Sequence, residues 1–218
     1  MVITVDENGV LKAKGLYTEA AMYTTLWTEL FTIDEAPLLL KTVRDQMGPA
    51  PLTARNPNVG LSGLFIGLCI RLDMLSRYGY EKKMFEDMQA IYMPQLREGP
   101  GTLWEQEYME NNSRCHGFNA HAGVHLMRDV LGLGIPSFDH RGEGKMRLTI
   151  APHICGLRWA KGTHESPYGS IRVSWKYDGE SFDLKVSLPE SIACSVELPR
   201  EVRMLDEGLV SVVIDQYC

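Results

Sequence analysis

The 218-residue sequence has few cysteines and lacks a cysteine motif. Its five cysteines include no Cys-x-x-Cys pair and leave one residue over in any pairing, so we predict neither a disulfide framework nor a zinc-ribbon site. The first residues lack the basic segment and the long apolar run of a secretory leader. These absences favour a reducing, cytoplasmic compartment for the chain as given, and they leave export of a longer parent enzyme open.

Clusters of basic residues and long apolar runs are also absent. Lys and Arg are scattered, and the formal net charge of -6 with a pI near 5.5 argues against a nucleic-acid surface or an anionic membrane. The longest apolar run, 61–70, is shorter than the roughly 20 residues of a membrane-spanning helix. We expect no nucleic-acid partner and no membrane partner, and a neutral polar substrate suits this charge balance.

The first part of the chain carries the apolar periodicity of about five helices joined by short connections into hairpins. These predicted helices lie at 18–31, 32–47, 61–78, 81–96 and 116–131. We expect Asp34 and Glu35 to cap the second helix at its positive end. The third helix is apolar on nearly every side and needs neighbours all around it. The helical part is therefore predicted to be incomplete: it either associates with copies of itself or belongs to a larger toroid of helical hairpins.

After residue 137 the pattern changes to short segments that are rich in β-branched residues and separated by turns such as 177–179 and 188–190. These predicted strands lie at 145–150, 170–176, 181–187, 192–197 and 208–214. Strands that follow helices predict an α+β multidomain chain, with a helical domain over 1–137 and an antiparallel β-sandwich over 138–218.

One connecting segment combines a carboxylate, an indole and an imidazole. Glu105 follows Trp104 directly, and His116 lies eleven positions further on. This combination is typical of a sugar-hydrolysing pocket on a loop between rigid elements. Each residue also has a structural alternative. Glu105 can be an exposed loop carboxylate, Trp104 can anchor the loop in the core, and His116 can cap a helix or be a buried, hydrogen-bonded imidazole.

His121 and His125 stand one helical turn apart, a spacing that can hold zinc, with Cys115 nearby as a third ligand. No Glu follows His121 in the way that a metalloprotease helix requires, and Cys115 is expected to point away from the histidine pair. We therefore predict no metal and no cofactor. The histidines are expected on the helix surface or in the core, and Cys115 as a small packing residue.

Several short motifs, taken together and in order, resemble the bacterial α-L-rhamnosidases of glycoside hydrolase family 78 and its six-hairpin relatives. They lie at 58–61, 71–73, 77–79, 101–105, 116–121, 128–132, 151–154, 160–162 and 169–175. The last four resemble the closing helix and the C-terminal sandwich domain of that family, so nearly the whole chain is covered. The resemblance implies the last hairpins of an (α/α)6 toroid followed by a β-sandwich domain.

The resemblance also implies inverting hydrolysis of terminal α-L-rhamnosyl residues. In that mechanism one carboxylic acid protonates the glycosidic oxygen and a second carboxylate activates water from the opposite face. Glu105 matches the second group, the general base. His116 matches a histidine that contacts the bound sugar, and Trp104 is placed in the substrate pocket.

The general acid of the family lies upstream, and residues 1–105 contain no counterpart to its motif. Glu107 and Glu110 lie in the same loop as Glu105 and would approach a sugar from the same side. The chain alone is therefore expected to be weakly active or inactive, because positioned acid catalysis contributes about 10²- to 10⁴-fold.

Two hypotheses follow for the function. In the first, the chain is part of a rhamnosidase-like hydrolase that acts on a rhamnosylated glycoside or oligosaccharide, and its partner is the missing N-terminal part. In the second, the chain is a non-catalytic remnant, either a homo-oligomer or a weak carbohydrate-binding module.

Overall fold

The computed structural model of the chain describes residues 2–5, 7–14, 17–31, 34–49, 59–60, 62–106, 113–138 and 146–217. The chain divides into two compact units, Met1–Ala122 and Gly123–Cys218. The first unit contains β1 (Val2–Val5), β2 (Leu11–Lys14), β3 (Tyr17–Thr18), α1 (Glu19–Trp27), α2 (Pro37–Gln46), β4 (Val59–Gly60), α3 (Cys69–Arg77) and α4 (Glu81–Glu98). The predicted α+β class is confirmed, and the domain boundary between 137 and 138 stays a prediction.

The helices α1 and α2 begin at residues that favour a helix N-terminus, but α2 does not begin at its predicted cap. The side chain of Thr18 accepts a hydrogen bond from the backbone N–H of Ala21 at 3.2 Å and starts α1. In contrast, α2 starts at Pro37, whose fixed φ suits the first helical turn. Asp34 and Glu35 lie in a turn before Ala36, which is the residue at the cap position, so the predicted acidic cap is wrong.

A buried ion pair joins three helices of the first unit. The Nε of Arg71 on α3 donates to the carboxylate of Asp87 on α4 at 2.6 Å, and its Nη1 donates to the carbonyl of Val43 on α2 at 2.6 Å. Lys83 adds a second contact to Asp87 at 2.8 Å. A Cβ at Gly48 would lie 2.2 Å from Nε of Arg71, so this close approach requires glycine.

Among the described residues, the apolar segment that leads into α3 is not covered on all sides. A π-helical turn, Leu64–Leu68, leads into α3. Leu72, Met74 and Leu75 are fully buried, whereas Ile66 is 71% exposed. The last helical stretch is irregular: a 3₁₀ turn, Gly117–His121, precedes α5 (Ala122–His125), and a π-helical turn, Leu126–Val130, follows it.

The second unit contains two sheets. Its strands are β5 (Ser137–Phe138), β6 (Met146–Ile150), β7 (Trp159–Ser166), β8 (Gly169–Tyr177), β9 (Phe182–Pro189), β10 (Ile192–Val196) and β11 (Val210–Tyr217). The strand orders are β10-β6-β5 and β11-β9-β8-β7. Neighbouring strands are antiparallel except for two pairs, β10 with β6 and β11 with β9, which are parallel. The sheets are therefore mixed, where the sequence predicted an antiparallel arrangement.

The core of the second unit follows the alternation of its central strands. Ile171, Val173 and Trp175 on β8 are buried, as are Leu184 and Val186 on β9, while the residues between them face outward. This alternation gives the four-stranded sheet one apolar face and one polar face. Within the described ranges, no helix combines the length and the apolar content of a membrane span.

Candidate active site

The segments that carry Glu105 and His116 lie side by side like two short strands. The backbone N–H of Glu105 donates to the carbonyl of Ser113 at 2.8 Å, and the backbone N–H of His116 donates to the carbonyl of Leu103 at 2.8 Å. The structure therefore brings together the two segments that the sequence assigned to one site.

The carboxylate of Glu105 is held through one of its oxygens. Oε2 accepts a hydrogen bond from the backbone N–H of Ser113 at 3.0 Å, and the side chain is partly exposed. Oε1 has no hydrogen-bond partner among the described residues. A carboxylate oriented through one oxygen can use the other to accept a proton from water.

The peptide groups next to Glu105 are held by two buried side chains. The backbone N–H of Trp104 donates to Oε1 of Gln95 on α4 at 2.9 Å. Its carbonyl accepts a hydrogen bond from Nδ2 of Asn119 in the 3₁₀ turn. Gln95 and Asn119 are 1% and 0% exposed. Because burial makes the loss of either partner costly, these two bonds fix the start of the Glu105 segment.

The indole of Trp104 is an anchor in the interior. The residue is 2% exposed. A Cβ at Gly99 would lie 2.6 Å from Nε1 of Trp104, so the turn after α4 packs directly against the ring. Of the two alternatives predicted for Trp104, this burial favours the loop anchor. Its contact with a substrate stays a prediction.

Tyr92 extends the support of this segment by one helical turn of α4. Its hydroxyl donates to the carbonyl of Asn119 at 3.2 Å. Burial raises the pKa of Tyr92 above its ordinary value, so the hydroxyl keeps its proton and remains a donor. Tyr92 and Gln95 are three positions apart on one helix face, and both reach the Glu105 segment.

His116 is partly exposed at the entrance to the 3₁₀ turn. Its backbone is extended, with φ of -127°, and its side chain makes no capping hydrogen bond. The imidazole lies beside the ring of Phe118, with 5.7 Å between the centroids, and Phe118 is 74% exposed. The capping alternative is therefore not seen, and the predicted sugar contact of His116 stays a prediction.

His125 takes part in a polar cluster instead of forming a metal site with His121. Its Nδ1 lies 2.7 Å from Oδ2 of Asp129, and Nε of Arg128 donates to Oδ1 of the same carboxylate at 2.9 Å. His125 is 2% exposed. In the part of the chain that the structure describes, no group of three or more His, Cys, Asp or Glu residues is arranged to hold a metal ion.

One prediction near the site is wrong, two predicted residues are not described by the structure, and two residues of the site were not predicted. Cys115 is exposed, so its prediction as a packing residue is wrong. Glu107 and Glu110 lie outside the described residues. Gln95 and Asn119 were not predicted as site residues, although Gln95 gave a signal: it is a polar residue on the buried face of α4. Asn119 lies within the motif at 116–121, but nothing in its sequence position indicated its hydrogen bond to Trp104.

Comparisons with known proteins agree with this architecture. Residues 140–208 match the family model of the bacterial alpha-L-rhamnosidase C-terminal domain. An alpha-L-rhamnosidase of Alteromonas sp. (strain LOR) is 26% identical in a match that covers 62% of this chain and 16% of that protein. A GH78 family rhamnosidase of Bacillus sp. GL1 superposes with a TM-score of 0.76 at 22% identity, over 98% of this chain and 21% of that one. An alpha-L-rhamnosidase from Dictyoglumus thermophilum gives a TM-score of 0.64 at 20% identity, over 84% of this chain and 20% of that one.

The fold, with helices followed by mixed sheets, is thus similar to part of these two rhamnosidase structures. The comparisons confirm the resemblance stated from the motifs: the chain is similar to the C-terminal part of bacterial α-L-rhamnosidases of glycoside hydrolase family 78, and residues 140–208 match the model of their C-terminal domain. The chain spans between 16% and 21% of the length of these relatives.

Proposed function

We propose that the chain is the C-terminal part of an α-L-rhamnosidase-like hydrolase and that Glu105 is its general base. The observation that supports this most directly is the carboxylate of Glu105, oriented by the Ser113 N–H at 3.0 Å on a segment that two buried side chains fix. A general base needs such orientation because one of its oxygens must accept a proton from a water molecule that is aligned with the anomeric carbon.

In this proposal Glu105 performs one half of an inverting displacement. Oε1 takes a proton from a water molecule while the water oxygen forms a bond to the anomeric carbon. The bond from that carbon to the glycosidic oxygen breaks, and a carboxylic acid on the opposite side donates a proton to the leaving oxygen. We assign that acid to residues outside this chain, about 6.5 to 9.5 Å from Glu105, as inverting geometry requires.

The exposed apolar side chains of the helical unit support the view that more protein completes it. Leu38 on α2, Ile66 before α3 and Phe118 are 76%, 71% and 74% exposed. Contiguous apolar patches mark surfaces that other protein covers, and we interpret these three side chains as parts of such surfaces. The rhamnosidase of Bacillus sp. GL1 is about five times as long as the chain, since the match covers 98% of this chain and 21% of that one, so the rest of such an enzyme is a source of covering helices.

His116 and Trp104 have different roles in this proposal. His116 is partly exposed and contacts the sugar, with Phe118 packed against its ring. Trp104 is buried and acts through Glu105, as the anchor that keeps the loop in place. The substrate is a rhamnosylated glycoside or oligosaccharide, and the sugar is assigned from the relatives.

The test uses a substrate whose leaving group needs little help from an acid. The chain is incubated with α-L-rhamnosyl fluoride, and fluoride release is compared with a Glu105→Gln variant and with Glu98→Gln, an exposed carboxylate at the end of α4. We expect release above the spontaneous rate, a loss of about 10²-fold or more in Glu105→Gln, and no change in Glu98→Gln. An aryl α-L-rhamnoside, which needs the acid, should remain uncleaved.

Equal fluoride release by the chain and by folded Glu105→Gln would contradict the assignment of the base. It would favour the second candidate, a non-catalytic remnant that self-associates through its exposed apolar helices. Light scattering distinguishes the two: a defined dimer whose formation is abolished by Leu38→Glu supports the remnant.

A further inference from the structure

The polar face of the four-stranded sheet carries a groove that the proposed hydrolytic site does not use. The groove has a volume of about 510 Å³ and adjoins a hollow of about 230 Å³. Lys161, Ser174 and Lys185 line both. The two therefore form one continuous depression across β7, β8, β9 and β11.

The strand register gathers three cations around one serine. Lys161 on β7 and Lys185 on β9 are both partners of Ser174 on β8. Two strand spacings put these lysines about 10 Å apart, and Arg172 lies two positions from Ser174 on the same face, about 7 Å away. A group with negative charge above Ser174 is within reach of all three side chains.

The charge of the groove is opposite to that of the chain. The formal net charge is -6, yet Lys161, Arg172 and Lys185 line the groove with Asp215 as its acidic residue. The smaller hollow adds one cation, Lys176, and one carboxylate, Asp183, so cations outnumber carboxylates in the depression. Among the described residues, none of the three cations of the groove takes part in an ion pair. A basic depression on an acidic protein concentrates anions locally.

An exposed indole lies at one end of the depression. Trp159 on β7 is 58% exposed and lines the smaller hollow beside Lys176. It is two positions from Lys161 and so projects from the same face of the strand. A solvent-facing indole offers an apolar face on which a sugar ring can stack, with polar partners at its edge.

We propose that this depression binds an anionic oligosaccharide whose sugar units carry carboxylate or sulfate groups. The three cations hold one acidic group, hydroxyls such as that of Ser174 bond to the sugar, and Trp159 stacks on the next ring. The choice of a saccharide rests on the proposed function, but no residue of the Glu105 segment takes part. The region would bind the acidic oligosaccharide through residues that the proposed hydrolytic site does not use.

The test is an isothermal titration of the chain with hexagalacturonate, with a sulfated hexasaccharide and with neutral maltohexaose. We expect an acidic sugar to bind at least tenfold more tightly than the neutral one, and the stronger of the two identifies the acidic group. The double variant Lys161→Gln/Lys185→Gln should weaken binding by about fivefold or more, and Asp215→Asn should strengthen it by about twofold to fivefold. Lys82→Gln, the same change on exposed α4, should leave it unaffected.

Equal affinity for maltohexaose, or an equal loss in Lys82→Gln, would overturn the proposal. Tighter binding of an oligodeoxythymidylate of the same charge would also overturn it, because the depression would then be a general polyanion patch. The fluoride-release assay is independent of these variants, so failure of this proposal is distinguishable from failure of the proposed function.

Discussion

The helices of the first unit and the central strands of the second unit bury different kinds of side chain. The buried residues of β8 and β9 are all apolar, whereas the helical unit buries charged and amide groups: Glu19, Arg71, Asp87, Gln95 and Asn119. Apolar cores tolerate exchanges that conserve volume, but a buried polar group whose partner is removed keeps its full desolvation penalty. The comparison teaches that the packing of α3 against α4 depends on pairing, whereas the packing of β8 and β9 depends on volume.

The largest effect is expected from breaking the pairing at Arg71. Arg71→Met should lower the free energy of unfolding of the helical unit by about 3 to 5 kcal/mol, because Asp87 stays buried with Lys83 as its remaining partner. Denaturation followed by circular dichroism at 222 nm measures this change. Arg97→Met, at an exposed position of α4, should stay within about 0.5 kcal/mol.

The double variant Arg71→Met/Asp87→Leu sharpens this test. Removing both charges should be less destabilising than removing one, because no buried carboxylate is then left without its guanidinium partner. If the single variant lost less than about 1 kcal/mol, pairing would not be what this core depends on.

The corresponding change in the sheet unit removes volume. Leu184 is fully buried on β9, and Leu184→Ala should cost about 2 to 5 kcal/mol through lost burial and the cavity left behind. Leu184→Met keeps the volume and should cost less than about 1.5 kcal/mol. Lys185→Ala, at the neighbouring exposed position, is the control and should change stability by about 0.5 kcal/mol or less. If the Ala and Met variants lost the same free energy of unfolding, side-chain volume would not be what this core depends on.

A smaller effect is expected at the candidate site. Gln95→Leu should cost about 1 to 3 kcal/mol, because the buried backbone N–H of Trp104 loses its acceptor. Hydrogen exchange at the Trp104 amide should become faster than at the neighbouring amides. A general loss of packing at α4 would instead raise exchange along the whole helix. Gln89→Leu, on the exposed face of α4, serves as the control. Unchanged exchange at Trp104 would show that Gln95 does not hold the segment.

The smallest effect concerns Tyr92 and appears at alkaline pH. Tyr92→Phe should cost about 0.5 to 1.5 kcal/mol at neutral pH through the lost bond to Asn119. Burial raises the folded pKa of Tyr92, so its contribution is complete below the ordinary pKa near 10 and is lost as pH rises further towards the folded value. Stability should therefore fall less steeply above pH 10 in the variant. If stability fell equally steeply above pH 10 in both proteins, the ionisation of Tyr92 would not contribute to the loss.

The sequence predicted most elements that have a strong local pattern. The alternation in β8 and β9 and the periodicity of α4 placed these elements within a few residues. The periodicity of α3 placed its end but not its start, because a π-helical turn, Leu64–Leu68, precedes it. The edge strand β7 was missed because its segment mixes Ala, Lys, Gly and Glu with little β propensity. The parallel pairs were missed because pairing direction depends on contacts between distant segments.

At the candidate site the sequence supplied Glu105 and His116 but not the residues that hold them. Gln95 is polar on an apolar helix face, which indicates a buried bond but not its partner. Asn119 reaches Trp104 only because the 3₁₀ turn folds back beside the Glu105 segment. Such support arises from tertiary proximity, which the sequence pattern does not record.

The parallel pairing of β11 with β9 bears on the order in which the second unit folds. β7, β8 and β9 are joined by short turns, whereas the pairing partners Val210 and Phe182 are 28 positions apart. Long loops are slower to close, so we expect the three-stranded meander to form first and β11 to add to its edge later. Asp215 lies on β11, so the depression would form with Asp183 as its first acidic residue and gain Asp215 only in this last step.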